Sequence, residues 1–320
     1  MIELIELLSE ELPWGLTIAL ALYFGGLGGG SFIVAAVTSF ISGEEFRDIM
    51  KFGAYIGLIA TALCGTFLAL HAGHPERLLY MYSNPISMIT FGTCVISSIL
   101  PIGLIYATFL PPDSLPWLKS FLPWSVYVKP RKFFELLLFI LGSGLAGYTG
   151  FVLGIAWAQP FWETPLITVL FYVSGVSTAL MAIGLCIAIL RLVQVTEESK
   201  KLFVEMMHRL DVADGYMLLI ELGAAMLYLY IMFNNPSEIA RESAAILAFG
   251  ELAPLFWGGF IFLGLIIPIM LVVLLAWKGR TAAFIRLYAP LMIIAALCVL
   301  IGGAFMRYCF LVAGQLPVVG

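Results

Sequence analysis

Three carboxylates, Asp211, Asp214 and Glu221, interrupt an otherwise apolar stretch of this 320-residue chain. Spacings of three and seven residues put them on about one face of a helix. Ionisable groups at membrane depth are costly and default to functional candidates, and carboxyl groups placed there can take up and release protons. The simpler reading of Asp211 and Asp214, of Asp211 above all, is as interfacial caps at the start of their helix. Glu221 lies near the middle of the stretch and resists that account, unless it pairs with an arginine. Glu135, near the start of an earlier apolar stretch, is a fourth candidate and doubles as a first-turn residue that favours the helix dipole.

A second group gathers at the opposite ends of the apolar stretches. It comprises His71, His74 and Arg77, then Tyr148, Glu251 and Arg307, with Tyr23 as a further member. Phenol and imidazole groups can hydrogen-bond the carbonyls of a quinone while aromatic and apolar walls hold its ring. Interfacial anchoring is the simpler role for tyrosine and arginine. Tyr148 and Arg307 fit it less well, because both fall inside apolar stretches.

Other chemistries find no residues. The five cysteines, Cys64, Cys94, Cys186, Cys298 and Cys309, never form C-x-x-C, which argues against an iron–sulfur cluster in this chain. The three histidines, His71, His74 and His208, do not supply axial ligands on facing helices, so no haem is expected. No Walker loop, dinucleotide fingerprint or nucleophile elbow is present, and nothing points to nucleic acid.

The elements that must position these residues are membrane helices. Apolar residues make up 62% of the chain and charged residues 11%, and the mean hydropathy is +1.05, a composition that uses lipid as solvent. Eight stretches approach or exceed the roughly 20 residues that cross a bilayer: Trp14–Phe40, Phe52–Leu70, Ile86–Leu110, Phe133–Trp157, Leu166–Leu192, Val212–Phe233, Leu252–Trp277 and Leu287–Ala313. Pro101, Pro268 and Pro290 predict kinks rather than breaks. The expected fold is an all-α integral membrane protein forming one transmembrane domain over residues 1–320, its helices packed as two four-helix bundles. The start of the chain carries Glu3, Glu6, Glu10 and Glu11 and no basic segment, so the first stretch is expected to be kept as a helix.

Charge gives the bundle a direction. Thirteen of the sixteen basic residues fall in or beside the loops after the first, third, fifth and seventh spans; only Arg77, Arg241 and Arg307 fall on the other side. The positive-inside rule then places both termini outside the cytoplasm. The first span also carries Gly25, Gly26, Gly28, Gly29 and Gly30, which admit close approach of another helix or of a flat ligand.

In order along the chain, these residues resemble the NrfD/polysulfide-reductase-type membrane subunits. The resemblance runs from Trp14 and Gly26–Gly30 through His71-x-Gly73-x-Pro75-x-Arg77 and Asn84-Pro85-x-Ser87-Met88. It continues with Tyr148-Thr149-Gly150, Pro160-x-Trp162 and the Asp211–Glu221 stretch. Gly250-Glu251-Leu252-Ala253-Pro254-x-Phe256-Trp257, Gly302-Gly303-x-x-x-Arg307 and Ala313-Gly314-Gln315 close it. The resemblance implies a multi-pass subunit of the cytoplasmic membrane without its own redox cofactor and not catalytic alone. It would bind a quinone, of menaquinone or ubiquinone type, near the outer face. Its partners would be an iron–sulfur electron-transfer subunit and a catalytic subunit of molybdopterin type. Tyr148 is the position that carries over best.

Quinone oxidation or reduction at the outer face, with protons delivered through the sixth-span carboxylates, is the leading expectation. A cofactor-free ion-translocating module and a passive membrane anchor are the competing ones. An internal inverted repeat would favour the former, and none is evident. A passive anchor has no need of a buried Glu221.

Overall fold

The computed structural model describes residues 12–112, 121–193, 197–278 and 282–316, and it is helical throughout, with no strand among those residues. Among the described residues, eight helices are long and apolar enough to cross a membrane. The first six are α1 (Leu16–Ser42), α2 (Arg47–Ala72), α3 (Met88–Thr108), α4 (Val128–Gly154), α5 (Pro165–Val193) and α6 (Glu197–Phe233). A short α7 (Glu238–Phe249) follows. The seventh span begins as a π-helix over Pro254–Ile266 and runs straight into α8 (Ile267–Lys278); α9 (Ala282–Ala313) is the eighth. The chain is a multi-pass membrane protein.

Several helices start earlier than hydropathy predicts. Transfer energy marks where a helix enters hydrocarbon, whereas backbone hydrogen bonding continues into polar flanks. Thus α2 begins at Arg47, α4 at Val128 and α6 at Glu197. Asp211 and Asp214 therefore lie well inside α6 and are not its caps. Glu135 likewise lies beyond the first turn of α4.

The centre of the molecule is α1. Of its most apolar window, 89% is enclosed by other helices, and α5 follows with 78%; the remaining spans reach 33–44% and turn the rest of their surface outward. α1 packs on α2, α4 and α5, while α5 also packs on α6 and α9. Lipid offers apolar side chains as good an environment as another helix does, so association rests on close packing. Small residues supply it. A Cβ at Gly175 of α5 would lie 3.0 Å from the Gly26 carbonyl oxygen, and one at Gly142 of α4 would lie 2.8 Å from that of Gly29. The π-helical stretch approaches α9 as tightly, a Cβ at Gly264 falling 2.6 Å from the Gly302 Cα.

The start of the first span meets the end of the last. The Trp14 N–H donates to Gln315 Oε1 (3.0 Å), and Gln315 Nε2 donates back to the Trp14 carbonyl (2.9 Å). Trp14 stacks on Trp162 at 5.5 Å, and Trp162 Nε1 donates to the Phe310 carbonyl at 2.8 Å. Three of the scattered motifs, around Trp14, Trp162 and Gln315, thus form one knot. We call this end of the bundle the terminal face and the other the basic face.

Candidate functional site

Along the α5–α6–α9 contact runs a row of buried polar side chains. Asp211, Asp214, Glu221 and Arg307 are at most 2% exposed. Asp211 accepts a hydrogen bond from Tyr288 of α9. Asp214 accepts one from Ser177 of α5 at 2.6 Å. Glu221 has Ser174 and the Arg307 guanidinium as its polar neighbours. Arg307 donates to Ser174 Oγ (3.1 Å) and to the Gly303 carbonyl (2.9 Å). Its guanidinium carbon lies 5.4 Å from the Tyr23 ring centroid and 5.6 Å from that of Phe171, in cation–π range.

The sequence allows this row because α1 gives way to it. A Cβ at Gly26 would lie 2.6 Å from Arg307 Nη2, so only glycine leaves the guanidinium its place. Among the described residues, three buried carboxyl groups share this row with one guanidinium, which neighbours Glu221. That pair alone does not balance three ionised carboxylates, so protons or other cations are needed if the row is to be neutral. Asp211 Oδ1, Asp214 Oδ2 and Arg307 Nε are also buried without a partner among the described residues.

Glu135 belongs to a different group, near the basic face. It accepts from Ser39 Oγ (2.6 Å), from Arg131 Nε (2.8 Å) and, more distantly, from Tyr106 (3.4 Å). Arg131 also donates through both terminal nitrogens to Glu44 in the α1–α2 turn, and Arg47 lies 3.5 Å from the same carboxylate. Two carboxylates and two guanidiniums balance this cluster. Its geometry ties the turn to α4, α1 and α3.

The group expected at the terminal end is divided. Tyr148 is half-buried, with its ring laid against Gly92 of α3 and 6.0 Å from that of Phe91. Its hydroxyl has no hydrogen-bond partner among the described residues. Nearby, Phe24 stacks on Phe67 at 5.6 Å, and a Cβ at the adjacent Gly25 would touch Thr149 and Cys64. Tyr23 points instead to α9, and Arg307 joins the carboxylate row. His71, His74 and Glu251 are exposed. The Arg77 side chain and the four glutamates Glu3, Glu6, Glu10 and Glu11 lie outside the described residues.

Sequence reading missed Ser174, Ser177, Tyr288, Arg131 and Glu44. The serines carried a signal, because with Thr178 they form a cluster of hydroxyls in the middle of a largely apolar span.

A central helix packed on α2, α4, α5 and α9, with a row of carboxyl groups buried in the neighbouring α5–α6–α9 contact, defines a multi-pass membrane protein that holds ionisable groups in its interior. The sequence profile described as polysulphide reductase, NrfD, matches residues 6–319, and the chain belongs to that family. It is 29% identical to a polysulfide reductase chain from Wolinella succinogenes, over 94% of each sequence. It is 25% identical to the protein NrfD of Escherichia coli, over 97% of each. A selenate reductase subunit from Mesobacillus selenatarsenatis is 27% identical, over 83% of the present sequence and 67% of its own.

Proposed function

We propose that this chain is the quinone-interacting membrane subunit of a multisubunit oxidoreductase. It exchanges electrons between the quinone pool and a docked iron–sulfur subunit, and a molybdopterin-type catalytic subunit completes the assembly. Two relatives are, by name, one chain of a polysulfide reductase and one subunit of a selenate reductase, which supports a multisubunit setting. In this reading residues 1–320 form one domain of the cytoplasmic membrane, with two four-helix bundles joined at α1 and α5 and both termini outside.

The observation that carries the proposal is the buried row Asp211–Asp214–Glu221, with Arg307 the one buried guanidinium beside it among the described residues. A passive anchor has no use for three enclosed carboxyl groups that one guanidinium cannot balance. Quinone reduction consumes two protons with two electrons, and this row is where the chain would hold and move them. Tyr148, with its unpartnered hydroxyl, and the rings of Phe24, Phe67 and Phe91 supply a donor and flat apolar walls, which suit a quinone of either type. Tyr23 and Arg307 close the row on the other side of α1. His71, His74 and Glu251 would serve at the exposed rim, and Glu135 would hold the basic-face turn in place.

The test uses the intact complex purified from membranes. Extraction is expected to recover bound quinone together with an iron–sulfur subunit. Glu221→Gln is expected to depress turnover with 2,3-dimethyl-1,4-naphthoquinol on the order of a hundred-fold, the scale of a lost proton-transfer group, with assembly intact. A complex without quinone whose Glu221→Gln form turns over normally would sink the proposal.

A further inference from the structure

Gly92 lies buried in the second turn of α3. Its backbone does not call for glycine: among the described residues only Gly43 and Gly73 have a positive φ. Inside a helix glycine is also less favourable than alanine. What the position requires is space. A Cβ there would fall 2.3 Å from Tyr148 Cζ, 2.5 Å from its Cε1 and 2.6 Å from its hydroxyl oxygen. The phenol end of Tyr148, reaching across from α4, occupies the place where a side chain at 92 would stand.

This close approach differs in kind from those around α1. A Cβ at Gly29 would lie 2.4 Å from the Gly142 carbonyl oxygen, and one at Gly30 would lie 2.3 Å from that of Gly175. There a larger residue meets backbone and drives two helices apart. At Gly92 the three nearest atoms all belong to the far end of one side chain, so a methyl group would turn a ring and leave the helices in place. Nor do the glycines beside Tyr148 on its own helix share the constraint. A Cβ at Gly144 meets nothing within 4 Å, and one at Gly147 comes no nearer than 3.9 Å to Tyr172.

The notch is itself held firmly. Ser87 caps α3 by accepting from the Ile89 N–H at 3.3 Å, and Thr90 Oγ1 lies 2.6 Å from the carbonyl oxygens of both Met81 and Asn84. These bonds tie the first turns of α3 to the segment before them. The Phe91 ring, 6.0 Å from that of Tyr148, flanks the notch.

We infer that Gly92 is a positioning residue, whose missing side chain sets the direction in which Tyr148 presents its hydroxyl to a quinone carbonyl. The inference rests on the reading above of Tyr148 as the quinone's hydrogen-bond donor. A hydrogen bond weakens steeply as donor and acceptor leave alignment. Filling the notch therefore loses the bond even though the hydroxyl is still present.

The experiment is a double-substitution cycle on the purified complex with 2,3-dimethyl-1,4-naphthoquinol. Gly92→Ala is expected to raise KM about five-fold, the scale of one neutral hydrogen bond, with kcat near wild type. Combined with Tyr148→Phe it should raise KM little further, because the same bond is lost only once. Gly144→Ala, whose methyl group meets open space, should keep wild-type constants. A wild-type KM in Gly92→Ala, or effects that multiply in the double variant, overturns the positioning role. Should Gly92→Ala fail to assemble, the same substitution on a Tyr148→Leu background, where the ring is gone, is expected to assemble. Failure there too would assign position 92 to helix packing and overturn the inference. A raised KM in Tyr148→Phe with Gly92→Ala unaffected leaves the quinone reading standing without the notch. Wild-type kinetics in Tyr148→Phe remove Tyr148 from the site and the positioning role with it.

Discussion

Tyr148 and Tyr23 are both phenols in the half of the bundle nearer the termini, yet α1 stands between them. Tyr148 looks toward α3 with a free hydroxyl, while Tyr23 lies under the Arg307 guanidinium. That division gives the two tyrosines separable phenotypes. Tyr148→Phe is expected to raise the KM for a naphthoquinol several-fold with little change in kcat, because a ground-state hydrogen bond is worth about 1 kcal/mol. Steady-state kinetics on the purified complex decide this, and wild-type constants with a native-length quinone would remove Tyr148 from the site. At the basic face, hydrogen bonds from Arg131 hold the Glu44 carboxyl below the usual carboxylate range. Because the folded value lies below the unfolded one, the tie stabilises at neutral pH and is lost as pH falls through that depressed value. Glu44→Gln should therefore melt below wild type near neutrality, and the two curves should converge in acid. A constant offset at every pH would contradict this origin.

Elements place these residues in ways their own stretch of sequence does not state. Hydropathy marks where α6 enters hydrocarbon, but not that the helix is already wound at Glu197, which moves Asp211 and Asp214 from the rim to the interior. The π-helical start of the seventh span was not legible at all. Its Gly258, Gly259 and Gly264 signal close packing, and the winding becomes visible only against α9. The glycines of α1 were legible as a packing stripe, whereas their partners Gly142 and Gly175 lie on other helices. Placing a larger side chain at one of these contacts tests the packing. Gly175→Val is expected to cost at least the 1–3 kcal/mol typical of overpacking. A lowered midpoint of thermal unfolding in detergent would show it, and an unchanged midpoint would mean that the α1–α5 contact can relax.

At the scale of the whole molecule, the charge bias and the joined ends bear on orientation. Trp14, Trp162 and Gln315 join the start of the first span to the end of the last at one face, so one reporter reads both. Alkaline phosphatase fused to the C-terminus is expected to be active and a fluorescent protein fused there to be dark; the opposite pair would invert the bundle. Composition alone marks eight stretches as long and apolar enough to cross a membrane, because transfer free energy is summed over windows of about 20 residues and needs no partner. Loop charge settles the expected direction on the same local terms. Which polar groups meet is decided elsewhere. Arg307 finds Ser174 and Glu221 on helices far away in the chain, and Glu135 finds Arg131 and Ser39 instead of the other carboxylates. Those meetings depend on helix phase and on how closely glycines let the helices approach. Such contacts are properties of pairs of helices, and no single span carries the information for them.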